Sequence, residues 1–236
     1  MSGGLAELVL SKKAVVFDCD GTLVKQIIDY RSARRAVIDV LRRHGVPGEL
    51  LSPDEGILTM LRRGVNFLSA KGERVDQMIS DVDELVERFE LEAASKTTPI
   101  PGALELLTLL RGLGFKLGLF TLNKRSAMMI VVKRFNLDQL MDVMASRDDV
   151  PAPKPDPRHL ESVFSRLSVE AAEAVVVGDH PVDVDCAVRA GAVAIGVLSS
   201  GRRREELEGA GAKVVVNSVA SILEALERAV SGSLRA

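Results

Sequence analysis

Asp18-Cys19-Asp20-Gly21-Thr22-Leu23 places two carboxylates one residue apart, directly after the apolar run Ala14-Val15-Val16-Phe17. Side chains alternate faces along a strand, so Asp18 and Asp20 point the same way and can converge on one metal ion and one phosphoryl group. Gly21 then lets the chain turn sharply. A strand running into a solvated polar turn is the plainer account of this hexapeptide, because Asp and Gly are ordinary turn residues. Three further segments bear on the choice.

Leu117-Gly118-Leu119-Phe120-Thr121-Leu122-Asn123 reads as a strand whose end presents a hydroxyl and, two residues on, a carboxamide. Both donate hydrogen bonds to phosphate oxygens, and a helix starting near Lys124 would add its N-terminal amides to the same anion. Read for structure alone, Thr121 and Asn123 are turn and cap residues. In Ala152-Pro153-Lys154-Pro155-Asp156-Pro157, Lys154 sits between two prolines, outside any regular helix or interior strand, and its ammonium is held on a stiff loop. A solvated surface lysine is the bland alternative; Asp156 as N-cap and Pro157 in the first helical turn explain only the later residues. Ala174-Val175-Val176-Val177-Gly178-Asp179-His180-Pro181-Val182-Asp183 is again a buried-type strand delivering an acid, with a second acid in the first turn of the next helix. Carboxylates and water are the ligands Mg2+ favours, so Asp179 with Asp18 could supply the protein's share of an octahedral site. Otherwise Asp179 caps the helix, and Asp183 and Asp185 complement its dipole.

The elements that must position these groups follow from hydrophobic periodicity. Short runs rich in Val, Ile, Leu and Phe mark buried strands at Ala14 to Phe17, Lys116 to Phe120, Ala174 to Val177, Val193 to Val197 and Lys213 to Val216. Between them lie helical patterns, such as Leu104 to Leu113 opened by Pro101 and closed at Gly114. This alternation predicts an α/β fold with a doubly wound parallel sheet. Residues 24–98 break it, with helices expected from Arg31 to Arg43, Pro53 to about Ala70 and Val75 to about Ala94. They read as an inserted helical subdomain, closed by the stiff linker Thr97-Thr98-Pro99-Ile100-Pro101.

Composition narrows the partners. The chain has 236 residues, a formal charge of -2, no tryptophan and Tyr30 as its one tyrosine. That is a poor supply for a base-stacking surface, and the charge shows no bias toward nucleic acid or an anionic membrane, so the expected partner is a small molecule. Cys19 and Cys186 lack metal-site or disulfide spacing, which makes a reducing, cytoplasmic setting the default. The first ten residues carry Glu7 within their apolar stretch and no basic lead, unlike a signal peptide. No run approaches the ~18 apolar residues of a membrane span. The oligomeric state stays open.

Taken in order, Asp18-Cys19-Asp20-Gly21-Thr22, Thr121, Lys154-Pro155, Gly178-Asp179 and Asp183 resemble the four motifs of the haloacid dehalogenase superfamily, in its phosphoglycolate phosphatase-like and β-phosphoglucomutase-like branch. The resemblance runs from about Lys12 to about Leu226. It implies a Rossmann-like catalytic core of residues 1–23 and 99–236 with a helical cap of residues 24–98, and active-site groups at the carboxyl ends of strands. It also implies roles. Asp18 is the nucleophile that forms an aspartyl-phosphate. Asp20 is the general acid and then the general base. Asp18, Asp179 and the backbone carbonyl of Asp20 hold Mg2+, and Asp183 orients a metal-bound water or Lys154. Thr121 and Lys154 stabilise the phosphoryl oxygens, and Gly21, Thr22 and Asn123 join them in binding substrate.

Three positions depart from the family pattern: His180 follows Asp179 where a small hydroxyl residue is common, Leu122 separates Thr121 from Asn123, and Lys25 replaces an acid. Specificity is expected from the cap, where Arg31, Arg34, Arg35, Arg62, Arg63 and Lys71 are basic candidates and a solvated helix face is the bland account. Arg62 and Arg63 stand out by interrupting an apolar pattern. No partner is identifiable for His44 or His159. The implied activity is Mg2+-dependent hydrolysis of a small phosphomonoester of the phosphoglycolate or sugar-phosphate type. A sugar-phosphate mutase keeps the same core motifs, and a silent binding protein keeps the same fold. A true dehalogenase leaves Asp20 and the metal site without a task.

Overall fold

A computed structural model of the chain describes residues 2–25, 27–198, 201 and 203–233. Six strands form one sheet: β1 (Ala14–Asp18), β2 (Lys116–Phe120), β3 (Val143–Ala145), β4 (Ala174–Gly178), β5 (Val193–Val197) and β6 (Val214–Val216). Their order is β3-β2-β1-β4-β5-β6 and every pairing is parallel. Strand order reverses beside β1, so the crevice outside the carboxyl ends of β1 and β4 is where such a sheet collects ligands. The register brings those ends level: Asp18 pairs with Phe120, Phe17 with Val177, and Phe120 with Ala145.

All five residues of β1 are buried, as the apolar run demands of a central parallel strand. Ala14 and Val16 share a core with Phe120, Val163, Phe164, Leu167 and Val184, contributed in part by helices α7 (Arg158–Leu167) and α8 (Pro181–Arg189). Asp18 is on that same face by alternation. Gly118 allows the close approach of α7, because a Cβ there would lie 2.9 Å from Val163 and 3.3 Å from Leu167. Helix α10 (Val219–Ser233) packs against both α1 (Ser2–Leu10) and α5 (Ala103–Gly112), α6 (Arg125–Arg134) follows β2, and α9 (Arg204–Gly209) lies against β6.

The expected strands occur within a residue of their predicted bounds; among the elements the pattern does not predict are one strand and one helix. β3 has only three residues, too few to register as a periodic run. It is secured by its neighbours: Leu117 N donates to Asp142 Oδ2 at 2.8 Å and Thr121 N to the Ala145 carbonyl at 2.9 Å. The other is the amino-terminal helix α1.

By its contacts the chain divides into two compact units, residues 1–26 with 97–236 and residues 27–96. In the first unit the two connecting segments are tied together, with Val24 bridged to Pro99, Lys25 N donating to the Thr98 carbonyl and Thr97 Oγ1 to the Lys25 carbonyl. The second unit is helical, comprising α2 (Tyr30–Arg43), α3 (Ile57–Ala70) and α4 (Asp76–Lys96). The helix expected from Pro53 begins instead at Ile57: residues 53–54 form a turn, and Gly56 is the extended N-cap. The core of this unit is Val37, Leu41, Met60, Leu68, Met78 and Val82. His44 Nε2 meets Asp81 Oδ2 at 2.7 Å, joining the end of α2 to α4. No helix among the described residues is long and apolar enough to cross a membrane.

Leu41 is fully buried where the three helices meet, so Leu41→Ala is expected to cost about 2–5 kcal/mol in urea unfolding followed by circular dichroism. A loss under about 1 kcal/mol would mean that this core is not close-packed.

Candidate active site

Three strand ends deliver the site. β1 ends on Asp18, β2 is followed by Thr121, and β4 is followed by Asp179, and all three side chains are buried. The loop after β1 turns tightly: Gly21 N donates to the Val24 carbonyl, and the amides of Leu23 and Val24 donate to the Cys19 carbonyl. Gly21 adopts φ +87°, and a Cβ there would sit 2.3 Å from Asp179 Oδ2. A Cβ on Gly178 would sit 2.4 Å from the Asp183 Cβ. Two glycines therefore make the space in which the acids converge.

Lys154 is the centre of the arrangement. Its ammonium is buried, 2.5 Å from Asp18 Oδ1 and 2.7 Å from Asp183 Oδ1, and it also donates to the Phe120 carbonyl at 3.4 Å. It lies 4.0 Å from the centroid of the Phe120 ring, a further cation–π attraction. Burial opposes its charge, but the Asp18 and Asp183 carboxylates outweigh that and raise the ammonium's pKa. The stiff loop is pinned around it. Arg189 Nη1 donates to the Pro155 carbonyl at 3.0 Å, Cys186 Sγ to the Asp156 carbonyl at 3.3 Å, and Lys154 N to His159 Nδ1 at 3.2 Å.

Asp20 and Asn123 are brought together as well. Asn123 Nδ2 donates to Asp20 Oδ2 at 2.5 Å, and Asn123 N donates to Thr121 Oγ1 at 3.1 Å, which leaves the threonine hydroxyl hydrogen for another acceptor. Leu122, the residue that widens the Thr–Asn spacing, has its carbonyl held by Arg147 Nη1 at 2.7 Å. The amide of Arg125, first in α6, is occupied by Asp148 Oδ2 at 2.9 Å, so that donor is spent within the protein rather than offered to an anion.

Asp18, Asp179 and Asp183 bring carboxylate oxygens within 4.8 Å of one another. Burial pushes the Asp18 carboxyl well above its usual range, and Asp183 and Asp179 push the same way while Lys154 opposes them. Three buried carboxylates meet here, and one ammonium is paired with two of them. Converging hard oxygen donors of this kind fit a divalent cation such as Mg2+. Burial also pushes both thiols up, Cys186 to about 12, which makes them inert.

His180 is the N-cap of α8, where its Nδ1 accepts from Val182 N at 3.1 Å; in return Asp183 Oδ2 accepts from His180 N at 3.0 Å. The imidazole thus does the capping expected of a small hydroxyl. Asp179 is not the cap. Thr22 is fully buried. Arg63 lies in the helical unit and is engaged there, with Glu55 at 2.9 Å and the Leu50 carbonyl at 2.8 Å, while Arg62 is exposed. The spacing of motifs did not reveal His159, which is wholly buried between Lys154 and Ala145. Its only sequence signal was a histidine in the first turn of an amphipathic helix directly after the proline-flanked lysine.

Residues 15–197 match the family model described as haloacid dehalogenase-like hydrolase. Validoxylamine A 7'-phosphate phosphatase of Streptomyces hygroscopicus subsp. limoneus is 32% identical over 80% of this chain and 86% of its own. Phosphoglycolate phosphatase of Rhodospirillum rubrum is 31% identical over 89% of each chain. Among solved structures, a hydrolase from Pseudomonas syringae superposes with a TM-score of 0.71 over 92% of this chain and 99% of its own, at 24% identity.

Lys154→Met removes the ammonium bonded to both Asp18 and Asp183, and it is expected to destabilise the chelator-treated protein by about 3–5 kcal/mol at pH ~7. An acid whose folded pKa lies above its unfolded value binds more protons in the native state, so its stability contribution grows as pH falls. Urea unfolding of the variant is therefore expected to show part of the loss recovered by pH ~5. A deficit independent of pH would show that unpaired carboxylates are not its cause.

Proposed function

The chain belongs to the haloacid dehalogenase-like hydrolase family, and on that premise we propose that it is a Mg2+-dependent phosphatase that hydrolyses a small phosphomonoester through an aspartyl-phosphate on Asp18. The observation that carries this reading is the buried Asp18 carboxylate at a strand end, held 2.5 Å from Lys154 and within 4.8 Å of the Asp179 and Asp183 carboxylates.

Asp18 and Asp179, with the backbone carbonyl of Asp20, would hold Mg2+, which when bound offsets the repulsion between a carboxylate and a phosphate dianion. An oxygen of Asp18 attacks phosphorus, the ester P–O bond breaks, and Asp20 gives its proton to the departing alcohol oxygen. Asp20 then takes a proton from a water attacking the phosphorus of the acyl phosphate. The bond to Asp18 breaks, and inorganic phosphate leaves. Lys154 and Thr121 donate to the non-bridging oxygens, with Gly21 and Thr22 lining the turn beside them. Asp183 orients Lys154 through the 2.7 Å contact. Asn123 is assigned to the same site, and its bond to Asp20 Oδ2 favours a role in holding the proton carrier in place.

The substrate class is a small phosphorylated metabolite of the phosphoglycolate or sugar-phosphate type, supported by relatives whose names specify phosphoglycolate and validoxylamine A 7'-phosphate. Choice of leaving group is assigned to the helical cap, residues 27–96 here, where Arg62 is the more available of the two adjacent arginines because Arg63 is already paired. A reducing, cytoplasmic setting is part of the same reading, since Cys19 and Cys186 are both free and buried.

Wild-type protein assayed with p-nitrophenyl phosphate and then with 2-phosphoglycolate and hexose phosphates is expected to release inorganic phosphate only when Mg2+ is supplied. Asp18→Asn is expected to lower turnover by roughly four orders of magnitude or more while leaving the circular dichroism spectrum unchanged. Near-normal turnover in that variant, or wild-type turnover unaffected by chelation, would contradict the mechanism. Isomerised sugar phosphate in place of free phosphate would identify a mutase.

A further inference from the structure

His159 is wholly buried and belongs to none of the motifs that carry the chemistry, yet it makes two directed contacts within the site's scaffold. Its Nδ1 receives the backbone N–H of Lys154 at 3.2 Å, and its Nε2 faces the Ala145 carbonyl at 3.3 Å. An amide N–H can only donate and a carbonyl can only accept, so the ring is neutral, with its proton on Nε2. The Ala145 carbonyl also accepts from Thr121 N at 2.9 Å. One imidazole therefore links the backbone of Lys154 to the carbonyl that fixes Thr121, and those are the two side chains assigned to the phosphoryl oxygens. The Phe120 ring completes the assembly. It meets the His159 ring edge to face at 5.6 Å and 74°, and carries the Lys154 ammonium 4.0 Å from its centroid.

We propose that His159 is a positioning residue for phosphoryl transfer, a tautomer-locked brace that sets Lys154 relative to Thr121. This rests on the functional reading above, which gives Lys154 and Thr121 their task. Two observations separate the brace from ordinary core filling. A packing residue at this position has no need of an acceptor and a donor on opposite edges of its ring, whereas both are used here. The Lys154 loop also has other anchors, at Arg189 with Pro155 and Cys186 with Asp156, so the contact from His159 governs where Lys154 itself sits rather than whether the loop is attached. The charged groups acting on the ring are Lys154 and Asp183; burial and then the Lys154 ammonium push its pKa down to about 4, which keeps it an acceptor at neutral pH. A protonated ring would present N–H to N–H at Lys154 and lose the brace.

The test compares His159→Asn, whose side-chain oxygen can take the place of Nδ1 as acceptor, with His159→Leu, which has no acceptor. Turnover of saturating p-nitrophenyl phosphate is measured below the lower of the two melting temperatures. His159→Leu is expected to lose roughly 10- to 100-fold in kcat, and His159→Asn to regain most of that loss, because a displacement of about an ångström at a charge-stabilising group costs rates of that order. Equal kcat in the two variants, whether both impaired or both normal, would overturn the proposal, since filling the space would then be all that matters. Independently, two-bond 1H–15N correlation spectra of the wild-type protein at pH ~6 are expected to show His159 neutral with its proton on Nε2. A proton on Nδ1, or a ring half-protonated at that pH, would overturn it as well. Should the wild type hydrolyse no phosphomonoester, the functional reading fails, while the spectra still decide whether the brace exists.

Discussion

A single buried ammonium organises this protein. Lys154 lies between Asp18 and Asp183, with Phe120 against its side chain, in a position where an unpaired charge of either sign would cost several kcal/mol. Its two carboxylate partners come from different elements, one from the end of β1 and one from the first turn of α8. The ion pair is consequently a statement about the whole parallel sheet: it exists only if β1, β2 and β4 end level with one another and the loop before α7 reaches across them. A buried cluster of this kind is weak evidence for stability as such, because an apolar replacement could pack the same space. It is strong reason to expect chemistry, since it keeps a carboxylate next to a fixed positive charge at the carboxyl end of a strand, the end at which open α/β sheets bind ligands.

Several local choices follow from that constraint. Glycine is required at Gly21 and Gly178 because the carboxyl groups of Asp179 and Asp183 occupy the volume that a β-carbon would fill. Asp183 divides its two oxygens between tasks, one capping α8 through His180 N and the other holding Lys154. This sharing explains how His180 can stand where a small hydroxyl residue is common, since its Nδ1 satisfies the Val182 amide and the reciprocal capping bond remains. Likewise, the extra residue between Thr121 and Asn123 does not loosen the second strand end. Arg147 takes up the Leu122 carbonyl, and Asn123 is returned to the site with its amide on Asp20.

Much of the sheet and the acids at its edge could be read from the chain because each signal is local. A continuous apolar run followed by Asp-x-Asp-Gly states both a buried strand and what stands at its end, and the prolines around Lys154 state that it cannot belong to a regular element. What escaped notice depends on contacts distant in sequence. β3 is three residues held by pairing with β2, with no periodicity of its own. The partner of Asn123 is more than a hundred positions away. His159 has no partner identifiable along the chain, and its meaning lies in two backbone groups, one five residues and one fourteen residues back. The adjacent Arg62 and Arg63 read alike, yet an ion pair with Glu55 engages the second while the first remains exposed. Hydrophobic pattern reports which face of an element is buried; it does not report which polar groups meet once it is.

The central claim is that Asp18, paired with Lys154, is the group that accepts the phosphoryl unit. Rapid acid quenching of the enzyme during turnover of a phosphomonoester, followed by borohydride reduction and peptide mass spectrometry, tests this directly, because an acyl phosphate on an aspartate is reduced to homoserine. The account predicts homoserine at position 18 and at no other aspartate, in amounts that depend on Mg2+ and substrate. Phosphate release with position 18 unmodified, or homoserine at Asp20, Asp179 or Asp183 instead, would contradict it.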